Sequence, residues 1–116
     1  MRLGQIGYHV PNLDVPKKFY SRFFGKSPDF MEHDVIAWKV EDRWINFYSY
    51  DSVPAVKGAD MMLEVDDVDE WYNRAIELGG KEDWSPQDTW IFKECRFAKF
   101  VDPNGIHVSL IKYEIQ

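Results

Sequence analysis

The sequence predicts an α+β fold assembled from two tandem β-α-β-β-β modules. Three observations predict it. Period-two alternation gives way to period-3.6 spacing near the N-terminus, the same succession restarts at Ala59, and the two halves overlie at a constant offset. Shifting the first half by 55 positions puts Val10 on Val65, Asp14 on Asp69 and Gly25-Lys26 on Gly80-Lys81. The whole chain, 1–116, reads as one domain: module 1 over about 1–50, a linker over about 51–58, and module 2 over about 59–116.

The elements follow in order. Ile6, Tyr8 and Val10 alternate with Gln5, Gly7 and His9, the pattern of a strand with one face buried. Asp14 is the expected N-cap of a helix that tolerates Pro16 in its first turn. Val15, Phe19 and Phe23 form its apolar stripe, and Gly25 ends it. Extended segments are expected around Asp29–His33, Val35–Val40 and Arg43–Tyr50, with Glu41-Asp42 as a tight turn and His33 as a solvated turn residue. Ser49–Gly58 carries Asp51, Ser52, Pro54 and Gly58, the composition of a connection.

In the second module Met61, Leu63 and Val65 alternate with Asp60, Met62 and Glu64. Asp67 followed by Glu70 is a capping box. Val68, Trp71, Ala75 and Leu78 keep helical spacing up to Gly79-Gly80. Lys81–Gln87 reads as a weak strand. Glu94–Val101 and Ile106–Tyr113 flank Asp102-Pro103-Asn104-Gly105, whose Pro and Gly stand at the second and fourth places of a turn.

Composition restricts function. Lys and Arg number 14 against 20 Asp and Glu, a net charge of −6, which excludes the basic face that releases counterions from nucleic acid. No apolar run approaches the length of a membrane span, and the N-terminus lacks a signal-peptide core, so a cytoplasmic protein is expected. Cys95 is the single cysteine, which excludes an intrachain disulfide and a thiolate metal cluster; a packed, inert thiol is expected. Aromatics make up 16 % of the chain against only five Leu. Such wide, flat side chains suit either a β-rich core or a pocket for a planar ligand.

Val10-Pro-Asn-Leu-Asp…Phe19-Tyr20…Gly25, Val65-Asp-Asp-Val-Asp…Gly79-Gly80 and Phe100-Val-Asp-Pro-Asn-Gly-Ile-His-Val-Ser-Leu110 together resemble the vicinal oxygen chelate superfamily. That superfamily includes glyoxalases, extradiol dioxygenases and bleomycin-resistance proteins. The resemblance spans nearly the whole chain. It implies modules that form a curled mixed sheet around a cleft, helices on the outer face, and a homodimer.

The resemblance also implies where a divalent metal would sit: the first and last strand of each module, here Gln5, Asn46, Asp60 and Ser109. This quartet holds one carboxylate and no imidazole or thiolate, a poor donor set for a transition metal or for calcium. A displaced site would use His9, Glu64 and His107, which alternation puts on the same faces; the alternative is that these residues orient a ligand. Trp44, Tyr48 and Met62 also fall on the cleft-facing side of their strands. Trp90 lies in a stretch expected to cover the opening.

The leading expectation is therefore a small-molecule binding protein, metal-free, that sequesters a planar ligand between Trp44, Tyr48 and Trp90. Acidic neighbours would favour a cationic ligand. Gln5, His9, Asn46, Asp60, Met62, Glu64, His107 and Ser109 complete the candidate site. One alternative is a lyase, isomerase or dioxygenase with one divalent metal. Another is a dimeric interaction module whose cleft is vestigial.

Overall fold

The computed structural model describes residues 5–32, 34–49, 60–91 and 93–114. His33 and the linker expected over 51–58 lie outside the described residues. The chain divides into two compact units, Met1–Val56 and Lys57–Gln116.

In the first unit β1 (Gln5–His9) leads to α1 (Asp14–Phe24), then β2 (Phe30–Glu32), β3 (Val35–Val40) and β4 (Arg43–Tyr48). The sheet order is β1-β4-β3-β2, with β1 parallel to β4 and the other pairs antiparallel. The second unit repeats this with β5 (Asp60–Glu64), α2 (Val68–Glu77), β6 (Lys81–Ile91), β7 (Lys93–Val101) and β8 (His107–Tyr113). Its order, β5-β8-β7-β6, is the same topology, again with the first strand parallel to the last. The expected β-α-β-β-β succession is thus present in both halves, and β5 lies 55 positions after β1.

Each helix covers one face of its own sheet. In the first unit Phe19, Tyr20 and Phe23 of α1 are buried, as are Tyr8, Ile36, Trp38, Ile45 and Phe47 of the strands. Tyr20 stacks on Phe47 at 5.0 Å and lies 6.0 Å from the Trp38 ring. Trp38 satisfies its indole N–H on the Lys26 carbonyl at 3.0 Å, so the ring is buried without an orphaned donor. In the second unit Val68, Tyr72 and Ala75 of α2 are buried, together with Met61, Ala98, Phe100, Val108 and Leu110.

Several local expectations need correction. Asp14 is the first residue of α1 rather than its cap; Leu13 occupies the cap position, and Asn12 Oδ1 accepts the Val15 N–H at 3.2 Å. The buried stripe of α2 uses Tyr72 instead of Trp71, which is half-buried and has the Arg74 guanidinium 5.0 Å from its ring centre. The Asp67 cap behaves as its motif requires, accepting the Glu70 N–H at 3.1 Å. Strand β6 runs four residues beyond the expected Gln87, through Ile91. It is an edge strand whose pairing shifts register between Glu82 and Trp84 and again between Trp84 and Gln87. Pro86 sits within the second shift, where a missing N–H is tolerated.

The turn at Asp102-Pro103-Asn104-Gly105 is held from inside. The buried Asp102 carboxylate accepts the N–H groups of Asn104 and Ile106, each at 2.8 Å, and Gly105 takes a φ of 90° that favours glycine.

Candidate functional site

In the first unit the sheet face opposite α1 carries rings from Phe30, Trp44 and Tyr48. Parallel pairing sets Gln5 beside Trp44, Gly7 beside Asn46 and His9 beside Tyr48. Antiparallel pairing then carries the same face to Ala37, Val35 and Phe30. A cavity of about 250 Å³ opens there, lined by Gln5, Phe30, Val35, Ala37, Trp44, Asn46 and Tyr48. Among the described residues no ionised side chain lines it; its polar groups there are two amides, a phenol and the Trp44 indole N–H.

These polar groups are bonded to one another. Asn46 is nearly fully buried, and its Nδ2 donates to Gln5 Oε1 at 2.6 Å and to the Tyr48 hydroxyl at 3.1 Å. The His9 ring meets Tyr48 edge-on at 5.6 Å. Gly7 makes this arrangement possible: a Cβ at that position would stand 2.5 Å from Tyr48 Cε2. The Tyr48 ring therefore lies across β1, within reach of Asn46.

In the second unit Asp60, Met62 and Glu64 stand on the β5 face opposite α2, paired with His107, Ser109 and Ile111 of β8. Lys99 Nζ approaches Asp60 at 3.6 Å, and His107 Nδ1 lies 3.1 Å from Asp83 Oδ2. Ser109 is buried, whereas Met62 and Glu64 are exposed. Cys95 is a buried free thiol packed with Phe97 and Ile111. Trp90 pairs with Glu94 one residue out of phase with Thr89 and Cys95, which puts it on the opposite face from Asp60 and Met62. It is 66 % exposed.

A second cavity, about 270 Å³, is lined by Asp88, Arg96, Lys112, Tyr113 and Glu114. It is charged, but Arg96 is already engaged: Nε and Nη2 hold Asp69 at 3.0 and 2.8 Å, and Nη1 reaches Asp88 at 3.2 Å. The hydrogen bond from Arg96 is the main reason the Asp69 carboxyl titrates below its ordinary range.

Of the sequence candidates, Gln5, Trp44, Asn46 and Tyr48 share one cavity, with His9 at its edge. Phe30, Val35 and Ala37 were not among the candidates. Val35–Trp38 is apolar on both faces, with Lys39 the one charged residue of β3, and β2 has only three residues, so alternation there marks the cavity side weakly.

A divalent metal does not fit these residues. Gln5 Oε1 is taken by an N–H, Asn46 turns hydrogens toward it, Asp60 has Lys99 beside it, and Ser109 offers a neutral hydroxyl. Among the described residues no group of three His, Cys, Asp or Glu side chains is placed to hold a metal ion.

Fold and site together define a paired β-α-β-β-β protein with a small aromatic cavity of neutral polarity. Residues 2–110 match the Glyoxalase/Bleomycin resistance protein/Dioxygenase superfamily, and the chain belongs to that superfamily. Among curated proteins none matches the sequence significantly. The fold is similar to that of a glyoxalase/bleomycin resistance protein from Albidiferax ferrireducens T118, with 17% identity, a TM-score of 0.79 and coverage of 97% of this chain and 98% of that one. It is similar also to a bleomycin resistance determinant encoded on the transposon Tn5, with 20% identity, a TM-score of 0.77 and coverage of 99% and 100%. A glyoxalase-related enzyme from Fulvimarina pelagi shares the fold at 15% identity and a TM-score of 0.79, covering 96% of this chain and 87% of that one.

Proposed function

We propose that this protein binds and sequesters a planar small molecule in the cavity of its first unit, without a metal and as a homodimer in the cytoplasm. The observation that carries the reading is the lining of that cavity: Phe30, Trp44 and Tyr48 supply rings, and Gln5 and Asn46 supply fixed hydrogen-bonding groups. Ring faces stack on a planar ligand, and the amides orient it. Among the described residues no carboxylate, lysine or imidazole lines the cavity itself, which supports binding over proton-transfer catalysis. The net charge of −6 favours a cationic ligand at long range, while the π-faces favour it at contact. That one relative is named a bleomycin resistance determinant supports sequestration as the mode of action.

Tryptophan emission tests this directly. Proflavine, a planar cation, is expected to quench it saturably, and Trp44→Ala is expected to weaken that binding about tenfold. Emission unchanged up to millimolar proflavine, and likewise with neutral acridine, would remove the reading. Metal analysis addresses the alternative of a lyase, isomerase or dioxygenase. Stoichiometric metal in the purified protein, lost on Asp60→Ala, would favour that enzyme.

A further inference from the structure

The hydrogen-bond directions inside the cavity specify more than a planar shape. An amide nitrogen carries two hydrogens and no acceptor lone pair, whereas an amide oxygen only accepts. Asn46 Nδ2 spends its two hydrogens on Gln5 Oε1 and on the Tyr48 hydroxyl. Gln5 is thereby held by its oxygen, and the orientation of its amide is fixed from the buried side. The other end of that amide, Nε2, carries only donors, and Gln5 is exposed and lines the cavity beside Trp44. The apolar walls formed by Phe30, Val35 and Ala37 offer a ligand no competing polar group.

We propose that the ligand carries a hydrogen-bond acceptor on its planar edge, such as a carbonyl oxygen or a pyridine-type nitrogen, and that the Gln5 amide N–H takes it. The proposal rests on reading the cavity as a ligand site. It makes Gln5 the residue that sets specificity, with Asn46 positioning it. A ligand that presents an N–H at the same edge meets another N–H and leaves both donors unsatisfied. In a partly dehydrated pocket that mismatch discriminates more strongly than a missing contact.

Quinoline and indole separate the cases. Both are neutral, planar bicycles at mildly alkaline pH; one presents a ring-nitrogen acceptor and the other an N–H donor. Titrations would follow the indole N–H cross-peak of Trp44 in nitrogen-15-labelled full-length protein. Wild type is expected to bind quinoline about fivefold more tightly than indole. Gln5→Glu retains an oxygen for Asn46 and replaces the amide donor by an acceptor, so it is expected to reverse the order. The thermal midpoint of the variant shows that it is folded; a variant that unfolds is replaced by Gln5→Met, expected to abolish the preference. Equal affinities in wild type, an indole preference, or a quinoline preference that survives substitution of Gln5 would each overturn the proposal. If neither probe shifts Trp44 while proflavine quenches the protein, the acceptor-edge inference fails and the binding reading stands. If no probe binds, both fall.

Discussion

Gly7 decides the shape of the cavity. It sits in the middle of β1, where glycine is ordinarily a poor strand residue, and its φ is not in the left-handed region. What requires glycine there is the Tyr48 ring, whose Cε2 occupies the space of a Cβ. The ring is itself fixed by the bond from Asn46 and the edge contact with His9. Gly7→Ala is expected to push the Tyr48 ring off β1 and break the bond to Asn46. The expected cost is about 1 kcal/mol of stability, read from the urea midpoint. Quinoline and proflavine binding should fall further than stability does, because the site loses its ring and its orienting network at once. Unchanged binding by the alanine variant would show that the Tyr48 position does not define the pocket. The sequence alone suggests this cluster only in part. Alternation along β1 and β4 places Gln5, Trp44, Asn46 and Tyr48 on one side, but the direction of an amide is set by its partner, which no spacing reveals.

At the scale of elements, strand and helix identities were legible wherever periodicity met a stop signal. Val10 and Gly25 bracket the first helix as Val65 and Gly79-Gly80 bracket the second. Legibility failed where tertiary pairing overrides local pattern. Strand β6, with Ser85 and Pro86 inside it, survives because β7 pairs with it on both sides of the register shifts. The two helices also begin differently. Helix α2 is capped by Asp67 and tied to β7 by the Asp69–Arg96 pair, whereas α1 has no side chain bonded from its cap residue. The Asp69 pair makes the docking of α2 pH-dependent with a definite sign. Its carboxyl titrates lower in the folded protein than in the unfolded chain, so between those values the unfolded state binds more protons. The contribution is complete above about pH 5 and is lost as pH falls through the folded-state value. Both side chains are partly exposed, so the effect is modest and screened by salt. Urea midpoints at neutral and acidic pH should therefore converge more in Asp69→Asn than in wild type, and molar salt should narrow the difference between the two proteins. Identical pH profiles would mean that the pair contributes nothing to stability.

For the whole molecule, the duplication explains why so much apolar surface faces water. Each unit has one helix, which covers one sheet face, and the strands outside that cover still carry large side chains. Phe30 and Met31 are 43 % and 57 % exposed on β2, the edge of the first sheet; Trp84 and Trp90 are 46 % and 66 % exposed on β6, the edge of the second. Met62 on β5 is exposed as well. Edge strands that expose large apolar side chains invite a partner, although charged neighbours such as Glu32 and Asp88 flank these positions. A second copy of the chain is the occupant expected for them. Light scattering after size exclusion should then give twice the 13.8 kDa chain mass at micromolar concentration. Because association stabilises the folded state by mass action, the thermal midpoint should rise with protein concentration. Trp90→Lys combined with Met31→Lys should abolish that rise while the monomer keeps its fold, since neither residue is buried in its own unit. A chain that runs at its monomer mass, with a midpoint independent of concentration, would show that the exposed edges are tolerated rather than covered.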